Sequence, residues 1–135
     1  MDQITLVKDA IHRPDEPRHF MQFKYPDKHF VASYKGQTLA ETSNALVLSE
    51  VGYGIYEPVI YFPVEDVKEE VLRKTAKSTH CPLKGDTEYF DLAGNGADED
   101  ADIAWRYAQP FDFAEKLIGY IAFDSRKVRI ESDSK

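Results

Sequence analysis

The sequence predicts a compact, mostly β domain of antiparallel strands, with one or two short helices and no structural zinc. Three observations carry the strand assignment. Apolar and polar residues alternate with period two along most of the chain, turn-forming Gly, Pro, Asn and Asp residues separate the runs at short intervals, and helical spacing occurs only in brief stretches. At 135 residues the chain has room for one domain, and 42% hydrophobic with 13% aromatic residues supplies its core.

Residues 1–17 are predicted to be an extended N-terminal arm, because 11–17 are too polar and Pro-rich for either element. Residues 18–131 then form the single β domain and 132–135 a polar tail without a packing role. Phe20, Gln22 and Lys24 alternate with Met21, Phe23 and Tyr25, Pro26-Asp27 marks a turn, and residues 30–34 make a second strand. Gly36-Gln37 suits a two-residue type II′ hairpin with Gly at positive φ. Ala45-Leu46-Val47-Leu48 reads as a buried strand, and Gly52 and Gly54 punctuate the passage to Val59-Ile60-Tyr61-Phe62. After Pro63, residues Val64, Val67, Val71 and Leu72 recur at helical spacing with Glu69/Arg73 and Glu70/Lys74 four apart, predicting a short amphipathic helix. Residues 87–92 and 103–107 flank an acidic loop as partner strands. Asp112, Glu115 and Gly119 mark a capped and stopped helical turn. Residues 120–123 and 128–130 are expected to close the chain as a hairpin around 124–127.

The net charge of −7 leaves no general basic surface for a phosphate backbone or anionic lipid, so neither nucleic acid nor membrane is expected as a partner. A single cysteine, Cys81, forms no intrachain disulfide and no thiolate cluster for zinc or iron–sulfur, and it fits a cytoplasmic protein without a cofactor. No stretch approaches the ~18 apolar residues of a membrane span.

Chemistry-bearing residue types are densest in Ser78-Thr79-His80-Cys81-Pro82-Leu83-Lys84-Gly85-Asp86, where an imidazole, a thiol and an ammonium share one loop. A thiolate nucleophile needs a neighbouring His or Lys to lower its pKa, and Lys can instead clamp a carboxylate or phosphate. On an extended chain His80 and Cys81 diverge, and a buried small thiol explains the same cysteine. The acidic run 98–102 fails the EF-hand pattern at Ile103 and Gln109, where Gly and Glu are required, and reads as a solvated loop. Trp105 and Tyr107 share one face of a strand, with Tyr61 or Tyr89 available from neighbours. Such an aromatic wall accepts flat or cationic ligands by stacking and cation–π contact, or else it is simply core. Glu50 places a carboxylate at a strand end, either in a site or in a surface pair.

Taken together, Glu50 after its apolar strand, Tyr61-Phe62-Pro63 with Asp66-Val67, Cys81-Pro82-Leu83-Lys84-Gly85, Trp105-Arg106-Tyr107 with Pro110, and Gly119-Tyr120-Ile121-Ala122-Phe123 resemble a bacterial family of small domains of unknown function that also carries a nucleotidyltransferase-like label. The resemblance covers roughly residues 11–130. It implies an architecture similar to the β-tent, two sheets meeting at an angle with a cleft between them. Many β-tent proteins hold zinc through paired Cys-x-x-Cys knuckles, which this chain lacks, and it has no Gly-Ser pair followed by paired aspartates for nucleotidyl transfer. The family's catalytic residues are unassigned, so the resemblance marks only the motif positions Glu50, Tyr61, Asp66, Cys81, Lys84, Trp105 and Tyr107. The leading functional expectation is a small-molecule-binding domain whose pocket draws on Glu50, Tyr61, His80, Cys81, Lys84, Trp105 and Tyr107. The alternatives are an enzyme using Cys81 or Lys84 as nucleophile with His80 or Glu50 moving protons, and a protein-interaction module using the acidic loop or a sheet edge.

Overall fold

A computed structural model describes residues 7–94 and 100–134. Within them the chain is mostly β, with two antiparallel sheets and short helical turns. The strands are β1 (Ile11–Arg13), β2 (Glu16–Lys24), β3 (Lys28–Tyr34), β4 (Gln37–Thr42), β5 (Leu46–Val51), β6 (Val59–Pro63), β7 (Leu72–Lys74), β8 (His80–Cys81), β9 (Gly85–Leu92), β10 (Ala104–Pro110), β11 (Tyr120–Phe123) and β12 (Arg129–Ser134). The large sheet runs β1-β2-β5-β6-β11-β10-β9-β7 with β8 also on β9, and the small sheet runs β12-β3-β4.

Alternation along the central strands buries the large sheet on both faces. Phe62, Ile121, Phe123 and Phe90 face the small sheet and pack with its Phe30, Ala32 and Leu39. Phe62 and Phe123 meet edge to face at 5.6 Å. Their chain neighbours Tyr61 and Ala122 point the other way, into a second cluster with Met21, Leu46, Leu48, Leu83 and Tyr107. Two-sided burial is why residues 45–48 and 59–62 read as unbroken apolar runs rather than alternating ones. The space between the sheets is thus filled by side chains.

Several elements differ from the sequence expectation, each for a local reason. Residues 11–17 form a hairpin instead of an extended arm: Arg13 pairs with Glu16 across Pro14-Asp15, while His12 pairs with Phe20, so residues 17–19 bulge out of β2. The hairpin between β3 and β4 turns at Lys35-Gly36, not Gly36-Gln37. Both turn residues have positive φ, +50° and +79°, which defines a type I′ turn with Tyr34 opposite Gln37. The helix expected after Pro63 splits into 3-10 turns at Val64–Asp66 and Glu69–Val71. Val67 between them is extended and bridges Ala40, and the Lys68 N–H donates to the Leu39 carbonyl at 2.9 Å, so the small sheet claims the backbone that a helix would use. Arg73 and Lys74 pair accordingly with Asp91 and Glu88 on β9 rather than with Glu69 and Glu70. Asp112 lies inside the 3-10 segment Asp112–Leu117 and does not cap it, though Gly119 at φ +86° does follow it. Residues 120–123 and 128–130 form no hairpin, because β11 stays in the large sheet while β12 crosses to β3. Ser132, Asp133 and Ser134, read as tail, sit opposite Phe30, His29 and Lys28. Of the acidic run, residues 98 and 99 lie outside the described residues; Asp100 accepts a 2.7 Å hydrogen bond from the Tyr34 hydroxyl and Asp102 pairs with Lys77 at 2.7 Å.

Two glycines at positive φ separate strain from close packing. At Gly36 a Cβ meets nothing within 4 Å, whereas at Gly85 (φ +118°) it falls 3.0 Å from Pro110 Cα and 3.1 Å from the Gln109 carbonyl oxygen. Gly36→Ala is expected to cost about 1 kcal/mol from backbone strain alone, and Gly85→Ala distinctly more, in urea unfolding. Equal losses would mean that the β9–β10 junction opens without cost.

Candidate functional site

The cross-strand register assembles an aromatic row on the outer face of the large sheet. Tyr61 stands opposite Ala122, Ala122 opposite Trp105, and Trp105 opposite Tyr89. Residues directly opposite on antiparallel strands share a face, and the small Ala122 stands between the two large rings of Tyr61 and Trp105. Tyr89 and Trp105 lie 6.4 Å apart between ring centroids. Tyr107, two residues beyond Trp105, falls on the same face, as does Glu50, two beyond Leu48 on β5.

The loop from β7 to β9 closes over this face. The Thr79 N–H donates to the Thr87 hydroxyl and the Ser78 hydroxyl to the Thr87 carbonyl, both at 2.7 Å, tying the loop to β9. Leu83 is fully buried against the sheet. The Lys84 backbone is fixed from both sides, its N–H donating to the Cys81 carbonyl at 3.2 Å and its own carbonyl accepting from the Phe111 N–H at 3.0 Å. That anchoring aims the Lys84 ammonium at Glu50 Oε1, with which it forms a hydrogen-bonded ion pair, and at the Tyr107 ring, 5.7 Å from its centroid. The other carboxylate oxygen, Glu50 Oε2, lies 2.7 Å from His19 Nε2. All three side chains are largely withdrawn from solvent, Glu50 and Lys84 at 11% exposure and His19 at 14%.

Burial by itself pushes the Glu50 carboxyl up, but the Lys84 ammonium and the His19 hydrogen bond outweigh it and hold the group below its ordinary 4.5. Glu50 is therefore a carboxylate at neutral pH. Burial drives the phenols of Tyr61 and Tyr107 well above 10, so both remain neutral hydrogen-bonding rings.

Two clefts flank the ion pair. One, of about 750 Å³, is lined by Tyr61, Lys84, Tyr89, Trp105 and Tyr107 and continues along Phe30, Phe123 and Ile130 beside the small sheet. The other, of about 820 Å³, is lined by His19, Glu50, Arg13, Arg18, Tyr53 and Tyr56. The structure thus brings Tyr61, Lys84, Trp105 and Tyr107 to one cleft and Glu50 to the far side of Lys84. His80 and Cys81 line neither. His80 is exposed, 2.7 Å from Asp86 and edge-on to Phe111, while half-buried Cys81 packs against the second cluster, so the two do not pair. Asp66 serves the sheet, accepting from the Thr42 hydroxyl at 2.7 Å. The sequence reading missed His19. It sits in the bulge of β2, 31 residues from Glu50, and only the pairing of Met21 with Glu50 brings it close. Among the described residues no group of three or more His, Cys, Asp or Glu is placed to hold a metal ion, and no helix is long and apolar enough to cross a membrane.

A mostly β domain with an ion pair beneath an aromatic face belongs to a class defined by architecture and not yet by reaction. The chain is a member of the domain-of-unknown-function family DUF427, which bears a nucleotidyltransferase label and matches residues 23–134. No curated protein matches the chain. The matched span contains Glu50, Tyr61, Lys84, Trp105 and Tyr107 and begins after His19.

Removing one partner of a buried pair strands the other charge at about 3–5 kcal/mol, whereas replacing both by apolar residues is near neutral or stabilising. Lys84→Met should therefore destabilise strongly in urea unfolding, and Glu50→Leu/Lys84→Met should recover most of the loss; a double variant no better than the single shows that the pair itself holds the fold. Because the Glu50 carboxyl is depressed in the folded state, its stabilisation is complete above the ordinary value of 4.5 and lost as pH falls through the lower folded value. The urea midpoint should accordingly drop in that acid window and drop less in Glu50→Gln.

Proposed function

We propose that this protein is a small-molecule-binding domain whose site is the aromatic cleft, with Tyr61, Trp105 and Tyr107 as its walls and Lys84 as its charged anchor. The observation that carries this reading is the Glu50–Lys84 pair set beneath an aromatic cleft of about 750 Å³. A buried ion pair is a poor stabilising device, since apolar side chains of similar size hold a fold as well, and a charge kept at the floor of a concave aromatic surface has the features of a ligand anchor. Trp105 offers a flat face for stacking, while the Lys77 ammonium lies 4.6 Å over the Tyr89 ring, and the tied loop holds Lys84 in place before any ligand arrives, which limits the ordering cost of binding. The volume lies within the range of small-molecule sites. Glu50 acts from behind Lys84, fixing its ammonium, rather than as a direct ligand contact in this cleft. His80 and Cys81 stand outside the cleft and have no part in this reading.

Thermal unfolding of the full chain against nucleotides, organic acids, amines, sugars and divalent metals tests it. A native-state ligand at ~100 times its dissociation constant adds about 2.7 kcal/mol. At least one class is expected to raise the midpoint, and the rise should vanish in Trp105→Leu and in Glu50→Leu/Lys84→Met. A flat response across the panel overturns the reading.

A further inference from the structure

One ion pair stands between the two clefts. Lys84 lines the aromatic cleft, and Glu50 lines the second cleft with His19 instead. A ligand group reaching the floor between Tyr61, Trp105 and Tyr107 therefore meets an ammonium. Among the described residues Glu50 is the hydrogen-bond acceptor for that ammonium, and an ammonium carries three donors, so two remain for an incoming oxyanion. At the rim charges of both signs are mixed: Lys77 pairs with Asp102 at 2.7 Å, Arg126 with Asp124 at 2.9 Å, Lys127 donates to the Ala101 carbonyl at 2.6 Å, and Glu57 and Glu131 add two carboxylates. The rim does not select a sign, but the floor does.

We propose that the aromatic cleft takes a flat organic anion, received at its charged group by Lys84, and that His19 takes up a proton as it binds. This rests on the small-molecule reading above. Lys84 and Glu50 cancel one another's charge within the pair. An anion drawn onto Lys84 adds a negative charge to a largely buried cluster and dilutes the attraction holding Glu50, and such an imbalance is costly out of water. Protonation of His19, 2.7 Å from the other carboxylate oxygen, restores neutrality and gives Glu50 a second cation. The other charged groups around His19 are already cancelled. Arg13 pairs with Asp15 and Arg18 with Glu16, each at 2.7 Å, on its own hairpin. The loop after β5 presents the uncharged phenols of Tyr53 and Tyr56, and Lys84 from the loop after β8 reaches it through Glu50.

Three probes of one shape and different charge decide the matter: benzoate, benzamide and benzamidinium, titrated calorimetrically into the full chain near pH 7 in two buffers of different ionisation enthalpy. The fluorescence of Trp105, the one tryptophan, reports occupancy. Benzoate should bind at least about tenfold tighter than either analogue, a difference of about 1.4 kcal/mol, with uptake approaching one proton in the buffer comparison. In His19→Gln, folded by circular dichroism, benzoate should still bind and the uptake should disappear. Benzamidinium or benzamide binding as well as benzoate overturns the anion assignment while leaving the cleft a binding site. Benzoate binding without proton uptake, or uptake that survives in His19→Gln, overturns the coupling. Silence of Trp105 to all three overturns the proposal, and if the wider thermal panel is silent as well the small-molecule reading falls with it.

Discussion

Two-sided burial of the central strands is the constraint on which the rest depends. β5, β6 and β11 carry one set of side chains into the inter-sheet core and the alternate set into the outer cluster, so no position along them is free to be polar without a partner. Glu50 lies where that rule begins to relax, toward the end of β5, and it is satisfied on both oxygens by residues from different parts of the chain. The outer face thus changes from apolar packing to charge within one strand. The loop carrying Leu83 and Lys84 follows the same division, its leucine buried in the cluster and its lysine on the carboxylate.

This arrangement also explains why the aromatic row is open to a cleft rather than sealed. Ala122 between Tyr61 and Trp105 leaves space where a larger residue would fill the sheet face, and Trp105 and Tyr89 remain partly exposed while Tyr61 is fully buried. A rigid aromatic platform beside a fixed ammonium is assembled entirely from strand register and one tied loop.

Much of this was legible in the sequence. Period-two runs located most strands of the large sheet, and the co-facial placement of Trp105 and Tyr107 follows from alternation alone. The divergence of His80 and Cys81 follows from the same rule. What was not legible depended on partners distant in sequence. The apolar stripe after Pro63 has helical spacing, yet Val67 is claimed by Ala40 across the sheets, and no local signal encodes that claim. The crossing of β12 to β3 has the same character: residues 124–127 carry turn chemistry, but which sheet the following strand joins is decided by where Ile130 finds apolar surface, opposite Ala32. His19 escaped notice because the bulge that reorients it is defined by register with β1, visible only once the strands are paired.

The chain crosses between the sheets three times, after β2, after β4 and after β11, and the last crossing places Arg129–Ser134 against Lys28–Tyr34. The β3–β4 hairpin therefore waits, with one edge uncovered, for a strand made from nearly the opposite end of the described chain. Loop closure over such a span precedes any reward from the pairing, which puts this fold among the slow, non-local folders on the millisecond-to-second scale. Until β12 arrives, the unpaired edge of β3 is the surface through which two nascent chains would join. Lys28 and His29 open that edge with polar side chains before the apolar run Phe30-Val31-Ala32, and a lysine on an unpaired strand edge disfavours pairing with a second chain.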